Sequence, residues 1–105
     1  MIRVDFLVRD GALCGFRLKG HAGQAPAGRD IVCAAVSSAF YMAANTLTDV
    51  CGCRALLREG DGYLFCSVSG EDREKARTVL QGLKLHAEGL RAQYSEYIQV
   101  FTTEV

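Results

Sequence analysis

The sequence predicts an α+β domain of two layers, with two helices packed on one face of a mixed or mainly antiparallel sheet. Segments near both ends alternate apolar and polar residues, and two longer stretches repeat apolar residues at helical spacing. At 105 residues the chain can bury one core but not two. Residues 1–105 are therefore expected to form one domain with the element order ββαββαβ.

The first predicted element is a β-hairpin. Residues 2–9 and 12–20 alternate with a period of two, and Asp10-Gly11 between them is typical of a two-residue turn. Arg3, Asp5 and Arg9 fall on one face of the first strand. The opposite, inward positions are Ile2, Val4, Phe6 and Val8 in the first strand and Ala12, Cys14, Phe16 and Leu18 in the second.

A loop and the first helix follow the hairpin. Residues 22–29 are small and contain the single proline of the chain, which predicts a loop. Apolar residues then recur at helical spacing, with Asp30 suited as the N-cap. We expect the helix to end near Cys51-Gly52, because a glycine can adopt the left-handed conformation there.

The second half repeats the order of the first. Residues 54–58 and 63–69 read as strands, residues 71–91 as a helix and residues 95–103 as a last strand. With both helices on one face of the sheet, the other face must meet solvent or a second copy of the chain.

The charge balance excludes some classes of function. Twelve basic residues match twelve acidic ones, so no large one-signed field recruits nucleic acid or anionic lipid unless charges cluster locally. The start of the chain does not resemble a secretory signal, and we see no apolar stretch near the roughly 20 residues of a membrane span. We expect a cytoplasmic protein with no nucleic-acid or membrane partner.

The five cysteines are odd in number and lack the C-x-x-C spacing of common zinc or redox sites. In a reducing compartment they are expected to be thiols. Cys14 and Cys66 fall on inward strand positions and are interpreted as core residues. Cys51 and Cys53 are interpreted as ordinary thiols, so no metal or other cofactor is predicted.

Cys33 and His21 are the candidate catalytic groups. A cysteine is a nucleophile as its thiolate, whose pKa falls at a helix N-terminus or beside a histidine. With Asp30 as N-cap, Cys33 would lie in the first helical turn, where backbone N–H groups favour negative charge. His21 ends the preceding strand, and a short loop would bring both residues to one edge of the sheet.

Further residues fit the same site. Ser37 follows Cys33 by one helical turn, and the small residues Gly20, Gly23 and Gly28 allow a substrate backbone to approach. Residues 22–29 are a candidate lid. The plain alternatives are that Cys33 is a small core residue and that Asp30 only caps the helix. His86 is expected to be exposed and is a poor rival base.

The motif resembles that of a known family. Gly20-His21-Ala22-Gly23 followed by Gly28-Arg29-Asp30-Ile31-Val32-Cys33-Ala34-Ala35-Val36-Ser37 is similar to the signature of the ribosomal-processing cysteine proteases, known as Prp. The resemblance extends more loosely over the whole chain.

The resemblance implies a concrete function. Such proteins form homodimers and remove an N-terminal extension from the twenty-seventh large-subunit ribosomal protein of bacteria. His21 would be the base and Cys33 the nucleophile, with Asp30 and Ser37 as supporting residues and Gly20, Ala22, Gly23 and Gly28 along the substrate loop. Because the removed tail ends in aromatic residues, an apolar groove should lie beside Cys33. The alternatives are a ribosome-assembly or peptide-binding module without catalysis and, third, a thiol-redox role.

Overall fold

The computed structural model describes residues 1–21 and 28–105, with the side chains of residues 28–30 left out of the description. Its strands are β1 (Ile2–Arg9), β2 (Ala12–Gly20), β3 (Ala55–Gly60), β4 (Tyr63–Val68) and β5 (Ile98–Glu104), and its helices are α1 (Gly28–Asn45) and α2 (Arg73–Gln93). A π-helical turn at Thr46–Val50 extends α1, and a 3-10 turn at Gly70–Asp72 precedes α2. The predicted order ββαββαβ is confirmed.

The strands form one mixed sheet in the order β3-β4-β2-β1-β5. The β1–β2, β2–β4 and β3–β4 pairs are antiparallel, whereas β1 and β5 are parallel. The turn between β1 and β2 has positive φ at Asp10 (53°) and Gly11 (78°), the geometry favoured by two-residue hairpins. The sheet thus matches the predicted α+β fold.

Both helices pack on one face of the sheet and close a single core. Phe6 of β1 and Phe16 of β2 contact Phe40 of α1, whose ring centroid lies 5.0 Å from that of Phe16 and 6.0 Å from that of Phe6. The inward position predicted for Ala12 is wrong, because a bulge in β2 shifts the alternation: Leu13 packs against the core and Ala12 is exposed. Leu80 and Leu83 contribute from α2. Such aromatic contacts add to the stabilisation from apolar burial and fix α1 over the centre of the sheet.

The start of α1 differs from the prediction. The helix begins at Gly28, so Asp30 is its third residue rather than its N-cap, and Cys33 is its sixth rather than its third. Backbone N–H groups in the first turn need no helical acceptor, so residues before Asp30 can join the helix. Cys33 therefore lies beyond the first turn of the helix.

The apolar length of α1 was underestimated from sequence. Residues Ile31–Val50 form 20 helical residues of mean hydropathy 1.4, which is long and apolar enough to span a membrane by length and composition. One side of this segment supplies Val32, Val36, Phe40 and Leu47 to the core. Of its most apolar 18-residue window 33% is buried, so packing in the core accounts for part of its hydropathy.

The outer sheet face, opposite the helices, is not uniformly solvated. Asp5 lies on it as predicted, yet only 1% of the residue is exposed. Arg3 donates two hydrogen bonds to the carboxylate (3.0 and 3.1 Å), and Thr103 donates a third (2.9 Å). Nη2 of Arg17 lies 3.7 Å from Oδ2 of the same carboxylate. The buried charge is tolerated because its partners satisfy it.

Candidate active site

A pocket of about 130 Å³ lies where the end of β2, helix α1 and the β3–β4 hairpin meet. Its polar and catalytic-type residues are His21, Cys33, Ser37, Tyr41 and Tyr63. The remaining lining is apolar or glycine, from Ile2, Leu18, Leu64, Val36, Gly20, Gly60 and Gly62. The structure thus brings the predicted thiol and imidazole to one pocket.

His21 directly follows β2 and rests on the β3–β4 turn. Its Nε2 atom is 3.8 Å from Oδ1 of Asp61, and a Cβ on Gly62 would lie 2.6 Å from the same Nε2. The backbone beneath His21 is also fixed, because Gly20 N donates to Gly62 O (2.8 Å) and Met1 N donates to His21 O (2.6 Å). More than half of the imidazole side chain is exposed, which leaves it accessible to a substrate.

Cys33 is half-buried on the side of α1 that lines the pocket. Ser37 and Tyr41 follow it at four-residue intervals and share that side, as helical spacing requires. The buried residues Val32 and Val36 anchor the adjoining stripe of the helix in the core. The position of the Cys33 thiol is therefore set by core packing rather than by a surface loop.

Tyr41 joins α1 to β3 beside the pocket. Its hydroxyl donates a hydrogen bond of 2.6 Å to Oε2 of Glu59. This hydrogen bond raises the pKa of Tyr41, with smaller contributions from burial and from the charge of Glu59. Tyr41 is accordingly a neutral donor at physiological pH.

Three other thiols are unsuited to nucleophilic chemistry. Cys14, Cys53 and Cys66 are buried, and burial raises the pKa of each, that of Cys66 to about 11. A thiol with a raised pKa is protonated and unreactive near neutral pH. This confirms the interpretation of Cys14 and Cys66 as core residues and leaves Cys33 and Cys51 as the half-exposed cysteines.

The remaining predicted site residues have mixed outcomes. Gly20 lines the pocket, whereas Ala22 and Gly23 lie outside the described residues, as does most of the predicted lid. Gly28 is the first residue of α1, and the side chain of Asp30 is outside the description. His86 is exposed on α2, as predicted. Within residues 1–21 and 28–105, no group of three or more His, Cys, Asp or Glu residues could hold a metal.

Sequence reasoning missed Tyr41 and the β3–β4 turn. Tyr41 was detectable, because it follows Cys33 by eight residues and thus falls on the same side of the helix. The sequence predicts only a turn at residues 60–62. The approach of this turn to His21 depends on the pairing of β4 with β2. Such a long-range strand pairing leaves no local pattern in the sequence.

A thiol and an imidazole on one pocket of an α+β domain are the groups that a cysteine hydrolase requires. The sequence model of the family described as "Cysteine protease Prp" matches residues 1–99. The chain belongs to this family and is a cysteine protease.

Relatives of known sequence and structure agree with this assignment. The ribosomal processing cysteine protease Prp of Bacillus subtilis (strain 168) is 30% identical over 99 residues, covering 89% of this chain and 88% of its own length. The crystal structure of Prp from S. aureus with a covalently linked product peptide has a TM-score of 0.86 at 25% identity, covering 98% of this chain and 100% of that one. A Streptococcus mutans protein, SMU.848, superposes with a TM-score of 0.84 at 29% identity, covering 100% of this chain and 96% of its own.

Proposed function

We propose that this protease removes the N-terminal extension of the twenty-seventh large-subunit ribosomal protein, with Cys33 as nucleophile and His21 as general base. The observation that carries the proposal is that Cys33 and His21 line one small pocket with an apolar and aromatic wall. The relatives' name, ribosomal processing cysteine protease, supports a ribosomal protein as substrate. Family membership favours this function over a binding module without catalysis.

The chemistry follows the usual course of thiol proteases. The imidazole of His21 takes the proton of Cys33 Sγ, and the thiolate attacks the carbonyl carbon of the scissile bond. The tetrahedral intermediate collapses to a thioester as the imidazolium returns the proton to the leaving amine, the new N-terminus of the ribosomal protein. Water, deprotonated by His21, then hydrolyses the thioester, releases the extension as a carboxylate and restores the thiol.

The other predicted residues have supporting roles in this proposal. Ser37 lines the pocket one turn after Cys33 and is placed to hydrogen-bond near the reacting atoms. Asp30 is the third residue of α1, and an acidic residue at that position suits the start of a helix. Ala22 and Gly23 belong to the proposed substrate loop and Gly28 begins the helix that follows it, and these small residues allow a peptide backbone to approach.

The test is cleavage of a peptide that spans the extension and its junction. We expect Cys33→Ala and His21→Ala each to reduce kcat by about a thousandfold or more. The nucleophile and its base act as a unit, so removing either one costs about as much activity as removing both. The matched control lies away from both the pocket and the groove between the helices: Cys51→Ala removes another half-exposed thiol. Equal losses in the control and site variants would refute the assignment.

We also propose a cytoplasmic homodimer, formed through the outer face of the two helices. From Ile31 to Thr48 the first helix has no charged residue, and Ile31 and Met42 are 63% and 62% exposed. An apolar groove of about 740 Å³ runs between α1 and α2. A self-complementary two-fold interface suits an uncharged surface, because like charges would otherwise face each other.

Sedimentation of the full chain at micromolar concentration tests this interface. We expect a dimer, and we expect Met42→Glu to yield monomers because it places a charge in the groove. Leu85→Glu is the control, since Leu85 is 74% exposed but does not line the groove. A wild-type monomer, or dissociation by both variants, would contradict the proposed interface.

A further inference from the structure

The outer face of the sheet concentrates positive charge in a protein whose total charge is zero. The strand register places five cations on this face, on three of its strands: Arg3, Arg9, Arg17, Lys19 and Arg58. Its acidic side chain is Asp5, so the local charge is +4 among the described strand residues. The rest of the molecule carries the compensating negative charge, which the overall balance conceals.

The one carboxylate on this face is already neutralised. Asp5 is buried beneath Arg3 and Arg17 and accepts hydrogen bonds from Arg3 and Thr103. Lys19 and Arg58 are exposed on β2 and β3, which flank β4, and Arg58 lies level with Arg17 across Phe65. The electrostatic potential above this face is therefore positive, and an anionic ligand can reach the cations that produce it.

Aromatic rings lie among these cations. Phe65 pairs with both Arg17 and Arg58 across the strands, and Phe101 pairs with Asp5 from the other side. Phe101 is 39% exposed, and the guanidinium of Arg3 lies 4.2 Å from its ring centroid. Partly exposed rings and guanidinium planes interleaved with cations form a surface on which unpaired bases can stack while phosphates meet the cations.

We propose that the outer sheet face binds single-stranded RNA, without sequence preference, through Arg17, Lys19, Arg58 and the rings of Phe65 and Phe101. The charge complementarity favours a polyanion, and the rings favour one with exposed bases over an acidic peptide. The proposal replaces the expectation of no nucleic-acid partner, which was drawn from the overall charge balance and not from local clustering. The same charge disfavours pairing of this face with its own copy, because a two-fold axis would oppose the cations. The face thus remains open in a dimer formed through the helices.

The measurement is the fluorescence anisotropy of labelled oligouridylate of about twelve nucleotides, a length within typical single-strand site sizes. With the wild-type chain at low salt we expect a Kd on the order of 10–100 µM, typical of binding without sequence preference. Three or four phosphate contacts predict a slope of about −2 to −3 for log K against log salt. No saturable binding under these conditions would overturn the proposal.

Matched charge variants locate the binding. Lys19→Gln with Arg58→Gln removes two cations from the outer sheet face, and we expect about tenfold weaker binding with a shallower salt slope. Arg77→Gln with Arg91→Gln removes the same charge from α2 and should leave binding nearly unchanged. An equal loss in both double variants would mean attraction to total charge alone and would refute the site.

The aromatic contribution separates RNA from an acidic protein partner. Phe101→Leu keeps an apolar side chain on the edge strand but removes the ring, and we expect about tenfold weaker binding of oligouridylate. Labelled polyglutamate of similar charge should bind more weakly than oligouridylate, and its affinity should be the same for the wild-type chain and for Phe101→Leu. If polyglutamate binds as tightly as oligouridylate, and Phe101→Leu affects neither, the RNA proposal is wrong and the face suits an acidic peptide.

Discussion

The imidazole of His21 packs against Gly62 and fills the space that a side chain at position 62 would need. A Cβ at Gly62 would be 2.6 Å from Nε2 and 3.0 Å from Cε1 of the ring. Gly62 also has φ of +64°. Both the conformation of the turn and the contact with the imidazole therefore require glycine at this position. The β3–β4 hairpin therefore forms the surface that orients the proposed base.

The first prediction concerns Gly62→Ala. Its methyl group would displace the imidazole, which can move at little cost because it is the end of an exposed side chain. We expect kcat for peptide cleavage to fall by about tenfold to a hundredfold, since displacement of a catalytic group by about 1 Å has effects of that size. Steady-state kinetics of the folded variant measures this.

Gly11→Ala is the matched control for that variant. Gly11 has φ of +78° in the other two-residue hairpin, but no atom lies within 4 Å of the corresponding Cβ. Both variants should lose a similar 1–2 kcal/mol or so of stability from the left-handed backbone. If Gly11→Ala lowers kcat as much as Gly62→Ala does, the contact with His21 is not the cause.

Local patterns predicted the elements of this fold well. The bounds of both strands of the first hairpin match, because most of β1 and β2 alternates and Asp10-Gly11 has its own turn chemistry, although the bulge opposite Leu7 and Val8 was not predicted. The start of α1 was placed too late, because Asp30 is as acceptable in the first turn as at the cap. Residues that suit two neighbouring positions cannot fix a boundary.

The candidate site was predictable only in part, for a different reason. Cys33, His21 and Ser37 are close in sequence, so a strand, loop and helix suffice to bring them together. Gly62 and Tyr63 join them only because β4 pairs with β2. The burial of Asp5 likewise depends on Thr103, 98 residues away on β5. Such contacts arise from strand order, which the local pattern does not contain.

The second prediction concerns Asp61, whose carboxylate is 3.8 Å from His21 Nε2. Both side chains are largely exposed, so the attraction is weak and screened by salt. We expect Asp61→Asn to lower kcat/KM by no more than about fivefold at low ionic strength. The difference should disappear near 1 M salt, where the Debye length is about 3 Å.

Asp10→Asn is the control, because Asp10 occupies the corresponding first position of the other hairpin. It should leave kcat/KM unchanged at every salt concentration. A large loss in Asp61→Asn that persists in high salt would show that Asp61 makes a direct hydrogen bond in the reacting complex.

The third prediction concerns the order in which the thiols react. With Cys33 as nucleophile, we expect iodoacetamide near neutral pH to alkylate it first, with Cys51 next. Cys14, Cys53 and Cys66 should react last in the native protein, because burial raises the pKa of each and restricts access. Peptide mass mapping over time measures the order.

His21→Ala provides the internal test of that order. It should slow alkylation of Cys33 while leaving the rate at Cys51 unchanged, because the pocket then holds no imidazole to accept the proton of the Cys33 thiol. Alkylation of Cys51 before Cys33 in the wild-type chain would contradict the assignment of the nucleophile.

The fourth prediction concerns pH and the carboxylate of Asp5. The Arg3 hydrogen bond lowers the pKa of Asp5, burial opposes this, and Thr103 and the nearby charges lower it further. A carboxylate whose pKa is lower in the folded state stabilises the fold above its unfolded value of about 3.9. That stabilisation is lost as the pH falls through the folded value. At pH 7 we expect Asp5→Asn to cost about 1–3 kcal/mol, because hydrogen bonds to a charged group are lost.

The thermal midpoints of wild type and Asp5→Asn should therefore converge as the pH falls from about 5 to below 3. The pKa of Asp72 is also lowered, mainly by the hydrogen bond that it accepts from the Arg54 backbone N–H. Asp72 is present in both proteins, so its contribution to the pH dependence of stability cancels in the comparison. Asp61→Asn serves as the exposed control, whose midpoint should follow that of wild type at every pH. A difference between wild type and Asp5→Asn that is the same at pH 7 and at pH 3 would mean that the variant disturbs packing, because the loss of an ionised, hydrogen-bonded carboxylate must depend on pH.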